Sequence, residues 1–381
     1  MASTPRRVLC VLGTRPEAIK FAPLVRELDS RGASFAVGVC STGQHAELFD
    51  VAARCFGLRT DWRLDLMEPG QSPSEFLARA LRALDPVIAE FSPDIVLVQG
   101  DTTSTLAGAL AAYYGRRPVG HVEAGLRSGD PWAPFPEEQH RRMVDQLARW
   151  LFAPTASARQ NLLREGHPPE HIHVTGNTGV DALRWLERRV AEPERVAELD
   201  ATLSQLGLPS TAALQTSERS LVLATVHRRE HGPEALAGIC EALRAVAAFP
   251  EVDLLLPVHP NPRVHAAIAS ALEGSAVRRV PALDPERFVG LLRHARLVIT
   301  DSGGVQEEAA TLGVPALIVR SRSDRPESVA SGGSRVVGHE AASIIAAAAR
   351  VLDREPRGAH ELREPFGDGQ AAVRIADVLA L

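Results

Sequence analysis

Short apolar runs alternate with helix-period segments along almost the whole chain, and no other feature constrains the fold as tightly. Residues 7–12 form the first run, followed by Gly13-Thr14-Arg15-Pro16 and a predicted helix over about 16–30. Pro16 suits the first turn of that helix, where no N–H partner is needed, and Ile19, Pro23, Leu24 and Leu28 give it an apolar face. Strands are predicted at 35–40, 95–99, 118–123, 151–153 and 171–175, with helices over 45–56, 73–91 and 137–148 and irregular chain over 60–72. A helical, then polar, connection spans about 181–218. A second series follows, with strands at 221–225, 253–258, 277–280, 297–300 and 316–319. Helices at 233–248, 262–272, 285–294, 305–312 and 341–352 separate or follow them. Strands separated by helices imply parallel sheets wound on both faces. At 381 residues the chain exceeds one ordinary core. The expected class is therefore α/β, with two doubly wound Rossmann-like domains facing a cleft. We expect residues 1–183 to form the first domain, 184–362 the second, and 363–381 a segment packing back on the first.

Ligands of such folds bind beyond the carboxyl ends of the strands. Residues 296–308 read as a buried strand, the turn Asp301-Ser302-Gly303-Gly304, and a helix from near Val305. Glycines allow close backbone approach, and free N–H groups at a helix start favour an anion. The three spaced glycines of a dinucleotide fingerprint are missing, as is the Gly-Lys-Ser/Thr of a P-loop. A plain βα turn capped by Ser302 accounts for the same residues.

A net charge of -5 supplies no field for nucleic acid or an anionic membrane. Any bound anion must then be held by local arginine, histidine and backbone donors. No stretch approaches the length of a membrane span. Cys10, Cys40, Cys55 and Cys240 lack paired spacing and are expected as free thiols in a reducing cytosol.

Polar clusters follow the predicted strands. Arg15, Glu17 and Lys20 follow the first, Asp101 the one at 95–99, and Glu123 ends the strand at 118–123. Asp101 also suits an N-cap, and Glu137 and Glu138 suit the first turn of a helix, whereas Glu123 has no such capping role. In the second half His227-Arg228-Arg229-Glu230, His259 and Arg325 follow strands and suit phosphate recognition. No His-Glu-x-x-His or Cys pair argues for a metal. Three acids, Asp101, Glu123 and Glu137, belong to the first half, and cations with Ser302-Gly303-Gly304 to the second. That division suits a phosphorylated ligand held by one domain and acid–base chemistry delivered by the other.

The ordered set Gly13-Thr14-Arg15-Pro16-Glu17-Ala18-Ile19-Lys20, Gly100-Asp101-Thr102-Thr103, His121-Val122-Glu123-Ala124-Gly125-Leu126-Arg127 and Phe135-Pro136-Glu137-Glu138 resembles the non-hydrolysing UDP-N-acetylglucosamine 2-epimerases. So do Thr175-Gly176-Asn177-Thr178, His227-Arg228-Arg229-Glu230, Val258-His259-Pro260-Asn261-Pro262, Thr300-Asp301-Ser302-Gly303-Gly304-Val305-Gln306-Glu307-Glu308, Arg325-Pro326-Glu327 and Pro365-Phe366-Gly367-Asp368-Gly369. The resemblance implies the B-type glycosyltransferase fold and reversible epimerisation at C2 of UDP-N-acetylglucosamine, through anti elimination of UDP and a 2-acetamidoglucal. It implies that Asp101, Glu123 and Glu137 are the acid–base carboxylates and that His227 lies near the leaving group. Arg15 and Lys20 match residues that line the cleft. Ser302, Gly303, Gly304 and Glu308 match diphosphate and ribose contacts, Phe288 a uracil contact, and Arg325 a diphosphate or sugar contact. Gln44, Gln71, Glu138, Arg228 and His259 match residues attributed to an activating second substrate molecule. A homodimer with no cofactor and no metal is implied. A hydrolysing 2-epimerase and a glycosyltransferase of the same architecture are the alternatives.

Overall fold

A computed structural model describes residues 4–216, 219–226, 232–258, 262–323, 325–353 and 364–381. The chain divides into two compact units, the first comprising residues 1–182 with 366–381 and the second residues 183–365.

The first unit contains β1 (Arg6–Leu12), α1 (Arg15–Ser30), β2 (Phe35–Ser41), α2 (Ala46–Phe56), β3 (Trp62–Arg63), α3 (Pro73–Phe91), β4 (Ile95–Gln99) and α4 (Thr103–Tyr114). It continues with β5 (Val119–Val122), α5 (Glu137–Leu147), β6 (Trp150–Ala153), α6 (Ala156–Arg164), β7 (Ile172–Val174) and the start of α7 (Thr178–Val190). Among the described residues its sheet has the order β3-β2-β1-β4-β5-β6-β7, with every pairing parallel. Val8 to Leu12 and Ile95 to Val98 are almost completely buried, as strands covered by helices on both faces must be. Helix α4 is built from small residues, and at Gly108 an added Cβ would lie 2.9 Å from Val98 and 3.0 Å from Val11, so the helix lies close on the sheet.

The second unit contains the rest of α7, then α8 (Pro193–Gln205), α9 (Thr211–Thr216), β8 (Ser220–Thr225), α10 (Pro233–Ala247), β9 (Val252–Pro257), α11 (Pro262–Ala271) and β10 (Arg278–Val280). It continues with α12 (Pro285–His294), β11 (Leu297–Thr300), α13 (Gly303–Leu312), β12 (Ala316–Ile318), α14 (Pro326–Ala330), β13 (Ser334–Val336) and α15 (Ala341–Leu352). Among the described residues the sheet order is β10-β9-β8-β11-β12-β13, again parallel throughout. Apolar clusters cover both faces: α10 and α15 meet one, and α8, α9, α12 and α13 the other.

The last helix, α16 (Ala371–Ala380), returns to the first unit and packs on α1. Asp181 holds its start, accepting hydrogen bonds from the backbone N–H of Ala372 at 2.8 Å and Ala371 at 3.2 Å. Both sheets reverse their winding, between β1 and β4 in the first unit and between β8 and β11 in the second. These switch points are where ligands of doubly wound folds bind.

The parallel, doubly wound architecture agrees with the sequence expectation, with local differences. Helix α13 begins at Gly303 rather than near Val305, so both glycines lie inside its first turn. Helices α6 and α14 and strands β3 and β13, too short to give a clear apolar period, were not expected from the sequence.

Candidate functional site

In the first unit the polar residues collect around the β1/β4 switch point. Glu17, only 1% exposed, accepts at Oε2 from the N–H of Gly13 (2.8 Å) and Thr14 (2.7 Å) and from Thr14 Oγ1 (2.9 Å). Its Oε1 accepts from Thr102 Oγ1 (2.6 Å) and Thr105 Oγ1 (2.8 Å). One carboxylate thus closes the capping box of α1 and ties it to the start of α4. Burial pushes the Glu17 carboxyl up, and these hydrogen bonds oppose the shift. Gly13 lets the chain after β1 pass close to Thr42 and Ser104, since a Cβ there would lie 2.0 Å from Thr42 Oγ1 and 2.3 Å from Ser104 Oγ.

Glu123 follows β5 with a left-handed φ of 70°, unusual for a residue with a side chain. Its Oε1 lies 2.6 Å from Lys20 Nζ, and its Oε2 accepts from Gln99 Nε2 at the end of β4. The carboxylate is 8% exposed. Asp101 Oδ2 pairs with Arg141 of α5, and the Asp101 carbonyl meets His140 Nδ1 at 3.1 Å. Burial pushes the His140 imidazole down. Arg141 also reaches Glu138 Oε2 at 3.4 Å. Glu137 is the first residue of α5 and half-buried, so α5 joins Asp101 to the turn that carries Glu137.

The other expected residues of this unit have separate settings. Arg15 opens α1, half-buried, and makes no hydrogen bond or ion pair among the described residues. Gln44 accepts from Ser104 N (3.1 Å) and Oγ (2.7 Å). Gln71 accepts from Glu68 N at 3.1 Å. Glu138 is fully buried and accepts from Ser128 N at 3.0 Å.

In the second unit Ser302 occupies the N-cap position of α13, but its hydroxyl makes no capping hydrogen bond. Its own N–H donates to Thr300 Oγ1 at 2.9 Å, and Thr300 Oγ1 lies 2.6 Å from Thr225 Oγ1, so the two central strands brace the turn. The first-turn N–H groups therefore lack the serine cap that would occupy one of them. Gly303 is buried, Gly304 exposed and Glu308 half-buried one turn on. Arg325 pairs with Glu307 of α13. Phe288 of α12 packs at the margin of the apolar cluster beside β11. His227, Arg228 and His259 lie outside the described residues.

Gln99 and Arg141, which bond Glu123 and Asp101, and the buried pair His121 and Asp145 are neighbours that the sequence reading does not single out. A polar residue within or ending an apolar strand, as at Gln99 and His121, was the available signal. Among the described residues no group of three His, Cys, Asp or Glu side chains is placed to hold a metal ion, and no helix is long and apolar enough to cross a membrane. The four cysteines are free, and burial pushes Cys40 up to about 12.

Known proteins resemble this chain in sequence and in fold. The family model described as UDP-N-acetylglucosamine 2-epimerase matches residues 26–380. The UDP-N-acetylglucosamine 2-epimerase of Salmonella typhimurium is 43% identical over 379 residues, with 98% of each chain covered. That of Yersinia pestis is 45% identical over 380 residues, again with 98% of each covered. The crystal structure of UDP-GlcNAc 2-epimerase from Neisseria meningitidis bound to UDP-GlcNAc superposes with a TM-score of 0.89 at 35% identity, covering 98% of this chain and 99% of that one. The whole chain matches full-length relatives in sequence and fold, and it belongs to the UDP-N-acetylglucosamine 2-epimerase family.

Proposed function

We propose that the protein reversibly converts UDP-N-acetylglucosamine to UDP-N-acetylmannosamine without hydrolysis. A carboxylate removes the proton from C2, the C1–O bond to UDP breaks on the opposite face, and a C1–C2 double bond forms. A proton then returns to the other face of C2 as a UDP oxygen re-forms the bond to C1. No hydride moves and no net oxidation occurs, so no redox cofactor is called for.

The observation that carries this reading is the setting of Glu123. It sits at a strand end beside the switch point, in left-handed backbone, with one oxygen against Lys20 and the other against Gln99. A carboxylate fixed there suits proton transfer at carbon, which needs a positioned base more than a nucleophile. Asp101 and Glu137 are the further acid–base groups of this reading, and His227 attends the leaving diphosphate. Arg15 and Lys20 line the sugar side. Ser302, Gly303 and Gly304 receive the diphosphate, Glu308 the ribose, Phe288 the uracil, and Arg325 the diphosphate or sugar. The uncapped start of α13 supports an anion there. By the same resemblance the working form is a homodimer, which light scattering on the purified chain tests.

The deciding experiment is incubation with UDP-N-acetylglucosamine in deuterated water, followed by NMR. Deuterium at C2 of intact UDP-sugars of both configurations is expected. Free N-acetylmannosamine with UDP would assign a hydrolysing reaction instead. No exchange and no product would remove both.

A further inference from the structure

His121 of β5 is 0% exposed, and both ring nitrogens face acceptors. Nε2 lies 2.8 Å from the carbonyl oxygen of Gly100, and Nδ1 lies 2.6 Å from Asp145 Oδ1. A peptide carbonyl has no proton to give, so Nε2 donates. Asp145 is also fully buried, and its Oδ2 accepts from Arg127 at 2.7 Å. Burial pushes the Asp145 carboxyl up, but the ion pairs with His121 and Arg127 outweigh it and hold the group below the usual carboxylate range. Independently of the ring, the always-charged, donor-only Arg127 guanidinium lies 2.7 Å from Asp145 Oδ2 and calls for an ionised partner, whose Oδ1 can only accept, so Nδ1 donates as well. An imidazole that donates at both nitrogens is an imidazolium. A buried cation persists only when paired and hydrogen-bonded, and that condition is met here. The charges alternate from His121 to Asp145 to Arg127 to the partly exposed Glu165, 2.6 Å from Arg127.

The Gly100 peptide held by this ring sits between the acid–base residues. Its φ is 74°, and its N–H donates to the Val122 carbonyl at 3.0 Å. The preceding Gln99 bonds Glu123, and the following Asp101 pairs with Arg141. A tilt of this one peptide would displace both carboxylates.

We propose that His121 is a positioning residue, a doubly protonated clamp between Asp145 and the Gly100 carbonyl that fixes Asp101 and Glu123 in place. Its kinetic consequence rests on the epimerase reading, whereas its proton count does not. The test is nitrogen–proton NMR of the full chain with labelled histidine near neutral pH, the His121 ring being assigned by its loss in His121→Gln. Two protonated ring nitrogens are expected, and a single one would overturn the clamp. In kinetics, His121→Gln and Asp145→Asn are each expected to lower kcat for C2 deuterium exchange about a hundredfold while changing the Kd for UDP by no more than about twofold. A folded His121→Gln protein with unchanged kcat would also overturn it. Should the variants fail to fold, the His121 ring is assigned in the unmodified chain by through-bond correlation of its ring to its own assigned backbone resonances, and its proton count decides. A chain that exchanges no deuterium at C2 counts against the epimerase reading alone, since the NMR measurement still judges the clamp.

Discussion

Lys20 Nζ lies 2.6 Å from Glu123 Oε1, so a residue one turn into α1 neutralises the carboxylate that ends β5. The pairing joins the two sides of the β1/β4 switch point and leaves the second carboxylate oxygen to Gln99. Together the two contacts hold a buried carboxylate in one orientation, as a base that takes a proton from carbon must be held. The same lysine stands ready to meet negative charge when the proton has been taken up.

Lys20→Met removes that cation while keeping the length of the side chain. The expected result is a loss of C2 deuterium exchange on the order of 10²-fold or more, because the remaining carboxylate is no longer paired or oriented. Glu123→Gln is expected to abolish exchange with UDP binding largely intact by calorimetry. Turnover at the original rate in either variant would refute the assigned role of Glu123.

Glu17 accepts from two backbone N–H groups and from the hydroxyls of Thr14 and Thr102, while Thr105 Oγ1 shares its one hydrogen between Glu17 and the Gln99 carbonyl. Glu17→Gln turns one of its acceptor oxygens into an amide NH2 that faces those donors. A loss of about 1–3 kcal/mol in unfolding free energy is expected from the mismatched buried groups. Denaturant titration with an unchanged midpoint would show that another acceptor takes over these bonds.

The fold was legible because doubly buried parallel strands write themselves as continuous apolar runs, and the runs at 95–99 and 297–300 did so plainly. Glu123 was legible as well, since a carboxylate ending such a run serves no cap. What remained hidden depended on distance along the chain. His121 meets Asp145 across 24 residues and Lys20 meets Glu123 across 103, and no local period announces either contact. The turn at Ser302 was ambiguous for another reason: whether a serine hydroxyl caps its helix is settled by side-chain geometry, which the sequence does not contain.

Asp181 makes the docking of the C-terminal helix sensitive to pH. Burial raises its pKa to about 6, against the hydrogen bonds from Ala372 and Ala371 that lower it. The unfolded value is about 3.9, so the folded chain holds this proton more tightly. The associated stability is fully present below the unfolded pKa and is lost as pH rises through about 6. The unfolding free energy of the native chain relative to Asp181→Asn should therefore fall by on the order of 3 kcal/mol between about pH 4 and pH 7. Urea titrations across that range check it, and a difference independent of pH would sink the assignment.

Gly304 distinguishes a ligand-binding turn from a plain one. It is exposed on the first turn of α13, and among the described residues a Cβ added there would come no closer than 4.0 Å to its nearest neighbour, Ser302 Oγ. Its φ falls outside the left-handed region. Among the described residues nothing therefore demands glycine, and alanine in a helix is favoured over glycine by up to about 1 kcal/mol. If the diphosphate of UDP lies against this backbone, the added methyl occupies ligand space instead. Gly304→Ala is expected to hold or raise the melting temperature while weakening UDP at least about tenfold, a cost of about 1.4 kcal/mol in binding. Differential scanning fluorimetry and calorimetry read the two quantities separately. Unchanged UDP affinity in a stabilised variant would move the diphosphate away from this turn, whereas a destabilised variant would show that the glycine serves the fold itself.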